Sequence, residues 1–347
     1  VALLQSDKTD TFEDILNLSG RKNTTTGKLY DTIRKTSLYF RPMVAAYRDI
    51  DPNTRLVVDM PPPGRYRFDC VDIMRKRYYR YFDANGVPMR PYADTFIYSD
   101  TNMCSFALGL YDLYLQTGNY AFIKRMTAVA DKILDLGCEE LDGIVFRNVI
   151  EGSTERGDIS AMNQGQSISV LIRVWQVTKE DKYLRAANRA IAPFYVSKNE
   201  GGVVGTLPNS GMVWYEEYPL TPFHVLNGMI YGLWGLYDLA AATSNIEAKK
   251  LFNTGAESVL NALPEFDTGF WSTYWVPDKQ EDRYVASIAY HSCHIIQLHA
   301  LGDQTGRKEF HDWATKWHRY STMPVNRARA AIAIAQSKIH QITHGIK

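Results

Sequence analysis

The spacing of apolar residues changes along the chain, and those changes divide it. Residues 1–54 open on polar runs, Ser6 to Asp10 and Arg21 to Lys28, with one helix expected around Tyr30 to Tyr47; most of this stretch reads as an arm. From Arg55 to Tyr98 the period is two, with Tyr66, Phe68 and Cys70 on one face and Arg65, Arg67 and Asp69 on the other. Within it the Asn85–Gly86 pair predicts a tight hairpin turn, because both residue types tolerate positive φ. Residues 55–98 are therefore expected to form a small antiparallel β region.

Beyond Tyr98 the period becomes helical and the chain repeats itself. Apolar helices end at Thr117, Thr178, Thr243 and Thr305, markers separated by 61, 65 and 62 residues. Each is followed by a more amphipathic helix, such as the one carrying Tyr183, Leu184, Ala187, Ala190 and Ile191. A period of this length marks a repeated supersecondary unit. The expected fold is mainly α: an α/α toroid, or incomplete α/α barrel, over 99–323. Apolar helices lie inside, amphipathic ones outside, and the long Gly-, Pro- and aromatic-rich linkers gather at one mouth. Residues 324–347 form a last basic helix with Arg327, Arg329, Lys338 and Lys347, expected to dock on its own domain or a second subunit.

Composition narrows the functional classes. With 347 residues and 45% hydrophobic content the chain buries a sizeable core, and a net charge of +1 argues against a nucleic-acid binder. Its 22 Tyr and 7 Trp suit sugar stacking as well as core filling. Cys70, Cys104, Cys138 and Cys293 lack CxxC spacing and read as free thiols. No run approaches the ~18 apolar residues of a membrane span. Val1 in place of Met allows for a removed signal or anchor, so the compartment stays open, with a soluble cytoplasmic chain preferred. A homodimer is expected from the polar arm and basic tail.

Three linkers carry more polar chemistry than connection requires. The first, from Asp158 to Ser167, places Asn163, Gln164 and Gln166 at a helix start, where amides offer donors and acceptors to sugar hydroxyls; capping and loop pinning are the competing role. The second, Trp214 to Pro219, sets Glu216 beside Glu217. Adjacent residues in extended backbone point to opposite sides, so only one carboxylate is expected to line the cleft. The third runs from Asp267 to Tyr274 and on to His294. His291 and His294 have a spacing that suits one metal, but no third ligand stands out, and packing is the preferred reading.

Four of these segments together resemble the C-terminal catalytic region of the D-glucuronyl C5-epimerases: Ser160 to Val170 (SAMNQGQSISV), Trp214 to Gly228 (WYEEYPLTPFHVLNG), Phe266 to Gly269, and Tyr290 to Leu298 (YHSCHIIQL). The resemblance implies an α/α toroid with a β domain before it, and inversion at C5 of a glucuronate within a heparosan-type polysaccharide. It assigns catalytic roles to Glu217, Tyr218, Tyr274 and Tyr290. Two positions depart from the pattern: Pro277 stands where the family tends to have Arg, and Cys104–Ser105–Phe106 where it often has alanine, glutamine, tyrosine.

The residue types fit such chemistry. Removing the hydrogen α to a carboxylate needs a base, an acid on the opposite face and donors on the carboxylate. Glu217 is the candidate base if burial among Trp214, Tyr215 and Tyr218 lifts its pKa above about 4.3. Tyr290 is the candidate for the other face. Arg65, Arg67 or Arg283 would supply positive charge, and Tyr98, Asn227 and His291 complete the expected substrate-binding set with the three amides. No cofactor or metal is required, and no dinucleotide fingerprint appears. A polysaccharide lyase of the same fold and a non-catalytic glycan-binding protein are the alternatives.

Overall fold

The computed structural model describes residues 53–76, 79–147, 149–150, 157–278 and 284–344. After α1 (Cys70–Lys76) come four helical hairpins: α2 (Asp100–Thr117) with α3 (Ala121–Leu136), α4 (Ala161–Thr178) with α5 (Asp181–Arg189), α6 (Leu226–Thr243) with α7 (Ile246–Ala262), and α8 (Ile288–Thr305) with α9 (Lys308–Thr322). A final helix, α10 (Pro324–His344), follows. The predicted arm lies outside the described residues except for its last two, Asn53 and Thr54.

The repeat has a physical cause at its marker. Each first helix is 18 residues long and ends on the marker threonine. Every marker hydroxyl donates to the carbonyl four residues back, at 2.6–2.9 Å, and accepts the N–H two residues on, at 3.2–3.3 Å. The residue between turns left-handed, as Gly118, Lys179, Ser244 or Gly306, with φ of 60–70°. Threonine thus closes the helix and starts the turn in one side chain.

α2, α4, α6 and α8 pack in sequence as an inner ring and are buried on most sides, while α3 buries one stripe, Ile123, Met126, Val129, Ala130 and Ile133. The fold is mainly helical and toroid-like. α4 and α6 approach closely at two glycines: a Cβ on Gly165 would collide with the backbone of Tyr231 and Gly232, and one on Gly235 with that of Gly165. Five residues before the markers the ring carries Asp112, Arg173 and Asp238, with Ala300 in the fourth helix. Arg173 is fully buried, binds Asp238 at 2.5 Å and also donates to Ser169 O.

The segment before α1 corrects the sequence reading. Tyr66, Phe68 and Cys70 are buried and the intervening Arg65, Arg67 and Asp69 are only partly so, so the period of two is real, but the chain there is not a strand. It is an extended plug entering the ring from the marker end. Val57 and Val58 donate to Leu115 O, Gln176 to Pro62 O and Arg173 to Gly64 O. Tyr66 then packs on Trp234, and Phe68 on Trp234 and Tyr231, inside the ring. An extended chain alternates sides whether or not a neighbouring strand pairs with it, so a plug and a strand share one pattern.

Among the described residues the strands are short and pair antiparallel. β1 (Tyr81–Phe82), β2 (Pro88–Tyr92), β3 (Thr95–Tyr98) and β6 (Val149–Ile150) form one sheet in that order; β4 (Gly137–Glu140) pairs with β5 (Gly143–Phe146), and β7 (Val204–Thr206) with β8 (Val213–Tyr215). The hairpin at Asp83–Val87 forms, but only Gly86 takes positive φ; Asp83 Oδ1 holds the turn by accepting from Asn85 N and Val87 N.

β9 (Phe223–Val225), β10 (Thr273–Pro277) and β11 (Tyr284–Val285) make a sheet in the order β11-β10-β9, joining the linkers before α6 and α8. α10 docks on β11 and α9, with Ala330 and Ile334 in an apolar cluster that includes Trp271, Tyr274 and Val285. The tail therefore packs on its own domain. The four cysteines are free thiols, three of them buried. Among the described residues no helix is long and apolar enough to cross a membrane.

Candidate active site

The linker between β8 and β9 separates the two adjacent carboxylates as their alternation requires. Glu216 is fully buried with His224 Nδ1 at 2.8 Å and Lys198 Nζ at 3.6 Å, and it occupies the space a side chain at Gly205 would fill. His224 Nε2 reaches Asp278 at 3.1 Å. Burial alone would lower the His224 pKa, but the carboxylates on both ring nitrogens raise it. This network pins the loop from behind. Glu217 turns the other way and packs over Gly228, where any Cβ would strike its side chain.

Glu217 is 6% exposed, and burial pushes its pKa up from 4.5 to about 7, opposed by a hydrogen bond from Tyr218. Of the three expected neighbours, Tyr218 stands beside Glu217, while Trp214 and Tyr215 are engaged elsewhere. Tyr215 is buried against α7, its hydroxyl donating to Leu251 O, and Trp214 stacks on Phe266.

Tyr274 reaches the site through a bulge. β10 pairs with β11 at Thr273↔Val285 and Trp275↔Tyr284, and the register slips at Tyr274 between them. Bulges bend a strand and re-aim the extra side chain. The tight turn at Asp267–Thr268–Gly269 sets up this approach: Thr268 Oγ1 accepts from Trp271 N at 2.8 Å, Gly269 has φ of 79°, and Asp267 Oδ2 takes Lys316 of α9 at 2.6 Å. Tyr274 then lies on Tyr290, the third residue of α8, with ring centroids 4.3 Å apart.

The four residues form one cluster. Tyr218 hydrogen-bonds Glu217 and Tyr274, and Tyr274 bonds Tyr290. Burial first, then the charge of Glu217, holds the hydroxyls of Tyr218 and Tyr274 well above the ordinary phenol range, so both stay neutral. Tyr218 is 45% exposed and marks the open side. Chemically the cluster is a carboxylate poised near neutrality beside three proton-carrying phenols.

The remaining expected residues divide. Gln166, in the second turn of α4, and Asn227, in the first turn of α6, lie at the same end of the ring, and Asn163 accepts from Thr101 Oγ1 at 3.3 Å there. Gln164 does not belong to the site: it accepts from Phe146 N and donates to Ile144 O and Ala190 O, which consumes it. His291 is equally committed. Its Nε2 donates to Trp317 O at 3.0 Å, its Nδ1 faces Ser272 Oγ at 2.8 Å, and Trp271 stacks on its ring. Burial lowers its pKa to about 3, so it is neutral. Tyr98 points away, donating to Asp83 Oδ2 with Lys132 over its ring.

Arg65 and Arg67 are at the wrong end. Arg65 binds Asp112 at 3.4 Å and Arg67 lies over Tyr237. Tyr237 is nine residues further along α6 than Gly228, roughly 13 Å down the axis. Arg283 lies outside the described residues. Sequence reasoning missed Gln297, whose Nε2 donates to Asn227 O at 3.0 Å, and Asp100, a buried first residue of α2 with its pKa pushed by burial to about 7. Their positions in the repeat, on inner helices that end at this mouth, were the available signal.

The family pattern described as D-glucuronyl C5-epimerase C-terminus matches residues 143–319, just over half of the chain. The chain belongs to this family. It is 34% identical over 183 residues to the D-glucuronyl C5-epimerase of Caenorhabditis elegans, a match covering 47% of this chain and 28% of that protein. It is 28% identical over 165 residues to an uncharacterized protein of Methanocaldococcus jannaschii, covering 47% and 52%. The match thus spans only part of each relative. Cellobiose 2-epimerase from Bacillus thermoamylovorans shares the fold, with TM-score 0.52 and 10% identity over 69% of this chain and 64% of that one. All four residues of the tyrosine–glutamate cluster fall inside the family match.

Proposed function

We propose that this epimerase-family protein inverts C5 of a D-glucuronate residue within a polysaccharide, giving L-iduronate, with a heparosan-type polymer as the candidate substrate. The observation that carries the reading is Glu217: a buried carboxylate with its pKa near 7, at one end of a hydrogen-bonded run through Tyr218 and Tyr274 to Tyr290.

Glu217 takes the C5 proton from one face, and the bonding pair is delocalised into the uronate carboxyl as an enediolate. Phenolic hydroxyls of Tyr218 and Tyr274 donate to its oxygens. Tyr290 returns a proton to C5 from the other face, which inverts the centre and leaves a phenolate. The proton on Glu217 passes along Tyr218 and Tyr274 to that phenolate and restores the site. A base with pKa near the working pH combines a populated ionised form with useful basicity.

The test is incubation with heparosan in heavy water. Deuterium at C5 together with iduronate signals in the NMR spectrum is the expected result. An unsaturated product absorbing in the ultraviolet would replace this reading by a lyase, and glycan binding without exchange would reduce the protein to a binding module.

A further inference from the structure

Two of the segments that carry the tyrosine–glutamate cluster meet at one buried imidazole behind it. His224, the middle residue of β9, is 1% exposed and lies opposite Val276 of β10. Its Nδ1 faces Glu216 Oε1 at 2.8 Å and its Nε2 faces Asp278 Oδ1 at 3.1 Å. Glu216 adjoins Glu217 in the chain, and Asp278 follows directly on the strand that carries Tyr274. A carboxylate only accepts, so with one at each ring nitrogen both nitrogens donate and the ring is an imidazolium.

The two bonds are unequal. The Asp278 side chain is 50% exposed, so water can take over from the imidazole there. Glu216 is sealed in the protein, its Oε2 has no hydrogen-bond partner, and Lys198 Nζ stands 3.6 Å from its Oε1. The backbone around Glu216 is tied on both sides, its N–H donating to Val203 O and its carbonyl accepting from Ala161 N. Those ties fix where the segment runs, and the side chain of Glu216 fixes how it is turned. Without the imidazole Glu216 is a buried charge lacking a close donor, and it reaches water only by turning the segment. Because adjacent residues of extended chain head opposite ways, that turn carries Glu217 off Gly228, its seat in the first turn of α6.

Resting on the reading of the site as a uronate epimerase, we infer that His224 is a positioning residue: its Nδ1 bond anchors Glu216 behind the loop and so keeps Glu217 seated over Gly228, beside Tyr218. The Nε2 bond to Asp278 orients the ring for this task.

Asparagine and glutamine divide the two bonds of a histidine, because Asn Nδ2 falls near the place of imidazole Nδ1 and Gln Nε2 near that of Nε2. His224→Asn therefore keeps the bond to Glu216, and His224→Gln keeps only the one to Asp278. On the whole chain, kcat of C5 exchange with heparosan is expected to fall about 10²-fold in His224→Gln, the scale of a small misplacement of a reacting group. It is expected to recover to within about threefold of wild type in His224→Asn, with KM changed by less than about threefold in both. Carbon NMR of glutamates labelled at the side-chain carboxyl gives a readout independent of turnover, with the Glu217 signal identified by its loss in Glu217→Gln. Glu217 is expected to titrate at about 7 in wild type and His224→Asn, and to return toward the ordinary carboxylate range in His224→Gln as water reaches it. Glu216→Ala removes the anchor without stranding a charge and is expected to match His224→Gln in both readouts, which keeps the test open if circular dichroism shows His224→Gln unfolded.

His224→Gln or Glu216→Ala matching wild type in both readouts overturns the inference, as does His224→Asn failing alongside them. A kcat loss with the Glu217 titration unmoved overturns it too. Wild type without C5 exchange, together with a Glu217 titration displaced only in His224→Gln and Glu216→Ala, supports the anchor and removes only the epimerase reading.

Discussion

The rings of Tyr274 and Tyr290 stack at a 44° tilt with centroids 4.3 Å apart, one carried on a strand bulge and the other on the first turn of an inner helix. Neither element holds the pair alone. Their contact joins the β9–β11 sheet to the toroid at the point where Glu217 and Tyr218 arrive from a third linker.

Tyr290→Phe removes the hydroxyl at the end of this run and keeps the ring contact. A loss of about 10²–10⁴ in kcat is expected for a positioned proton donor, with KM changed by less than about threefold. Steady-state C5 exchange in heavy water, with a melting curve to show an unchanged fold, measures it. An effect confined to KM would remove Tyr290 from the proton transfers.

The acid limb of kcat/KM follows Glu217, which must be ionised to accept a proton. Activity is expected to rise with pH through about 7, the value to which burial raises this group. Glu217→Gln abolishes exchange. If wild-type activity is already on its plateau at pH 5, Glu217 is not the base.

The same shift has a cost in stability. Glu217, Asp100 and Asp112 are all pushed by burial to about 7 in the folded state. Between the unfolded carboxylate range and pH 7 the native protein holds more protons than the unfolded chain, so stability is greatest at acid pH and falls as pH rises through 7. Glu217→Gln is expected to be more stable than wild type at pH 8 by about 1–3 kcal/mol, with the difference closing near pH 5. Urea midpoints at the two values test the sign.

Ile334 lies on the face of α10 buried in the apolar cluster behind Tyr274. Ile334→Asp buries a carboxylate there and is expected to destabilise by about 3 kcal/mol and to lower kcat, because the bulged strand loses its backing. Ile334→Val should restore most of both. An Ile334→Asp protein with full kcat would show that α10 does not position the tyrosine.

Arg173→Met strands Asp238 in the ring's interior and releases Gly64 O of the plug. Removing one member of a buried pair costs about 3–5 kcal/mol. Adding Asp238→Leu should recover part of that loss. By contrast, Thr178→Val deletes only the marker's two local bonds and should cost about 1–2 kcal/mol with activity unchanged.

What the sequence determined by itself is what depends on local backbone geometry. The 18-residue helices and their threonine ends were legible because one threonine closes each helix through partners two and four residues away. The opposite headings of Glu216 and Glu217 were legible because alternation is a property of extended chain, and the turn at Asn85–Gly86 because its bonds are made within four residues. Tertiary structure decided everything that depends on where a segment enters the ring. The period of two over Tyr66–Cys70 is the same for a strand and for a plug, and only contacts such as Gly64 to Arg173, 109 residues apart, distinguish them. That entry carries Arg65 and Arg67 to the end away from Glu217. Gln164 and His291 were indistinguishable from ligand-binding residues until their partners on distant segments were known. The aim of Tyr274 rests on a one-residue bulge and on a helix fifty residues later in the chain, and no local pattern encodes either.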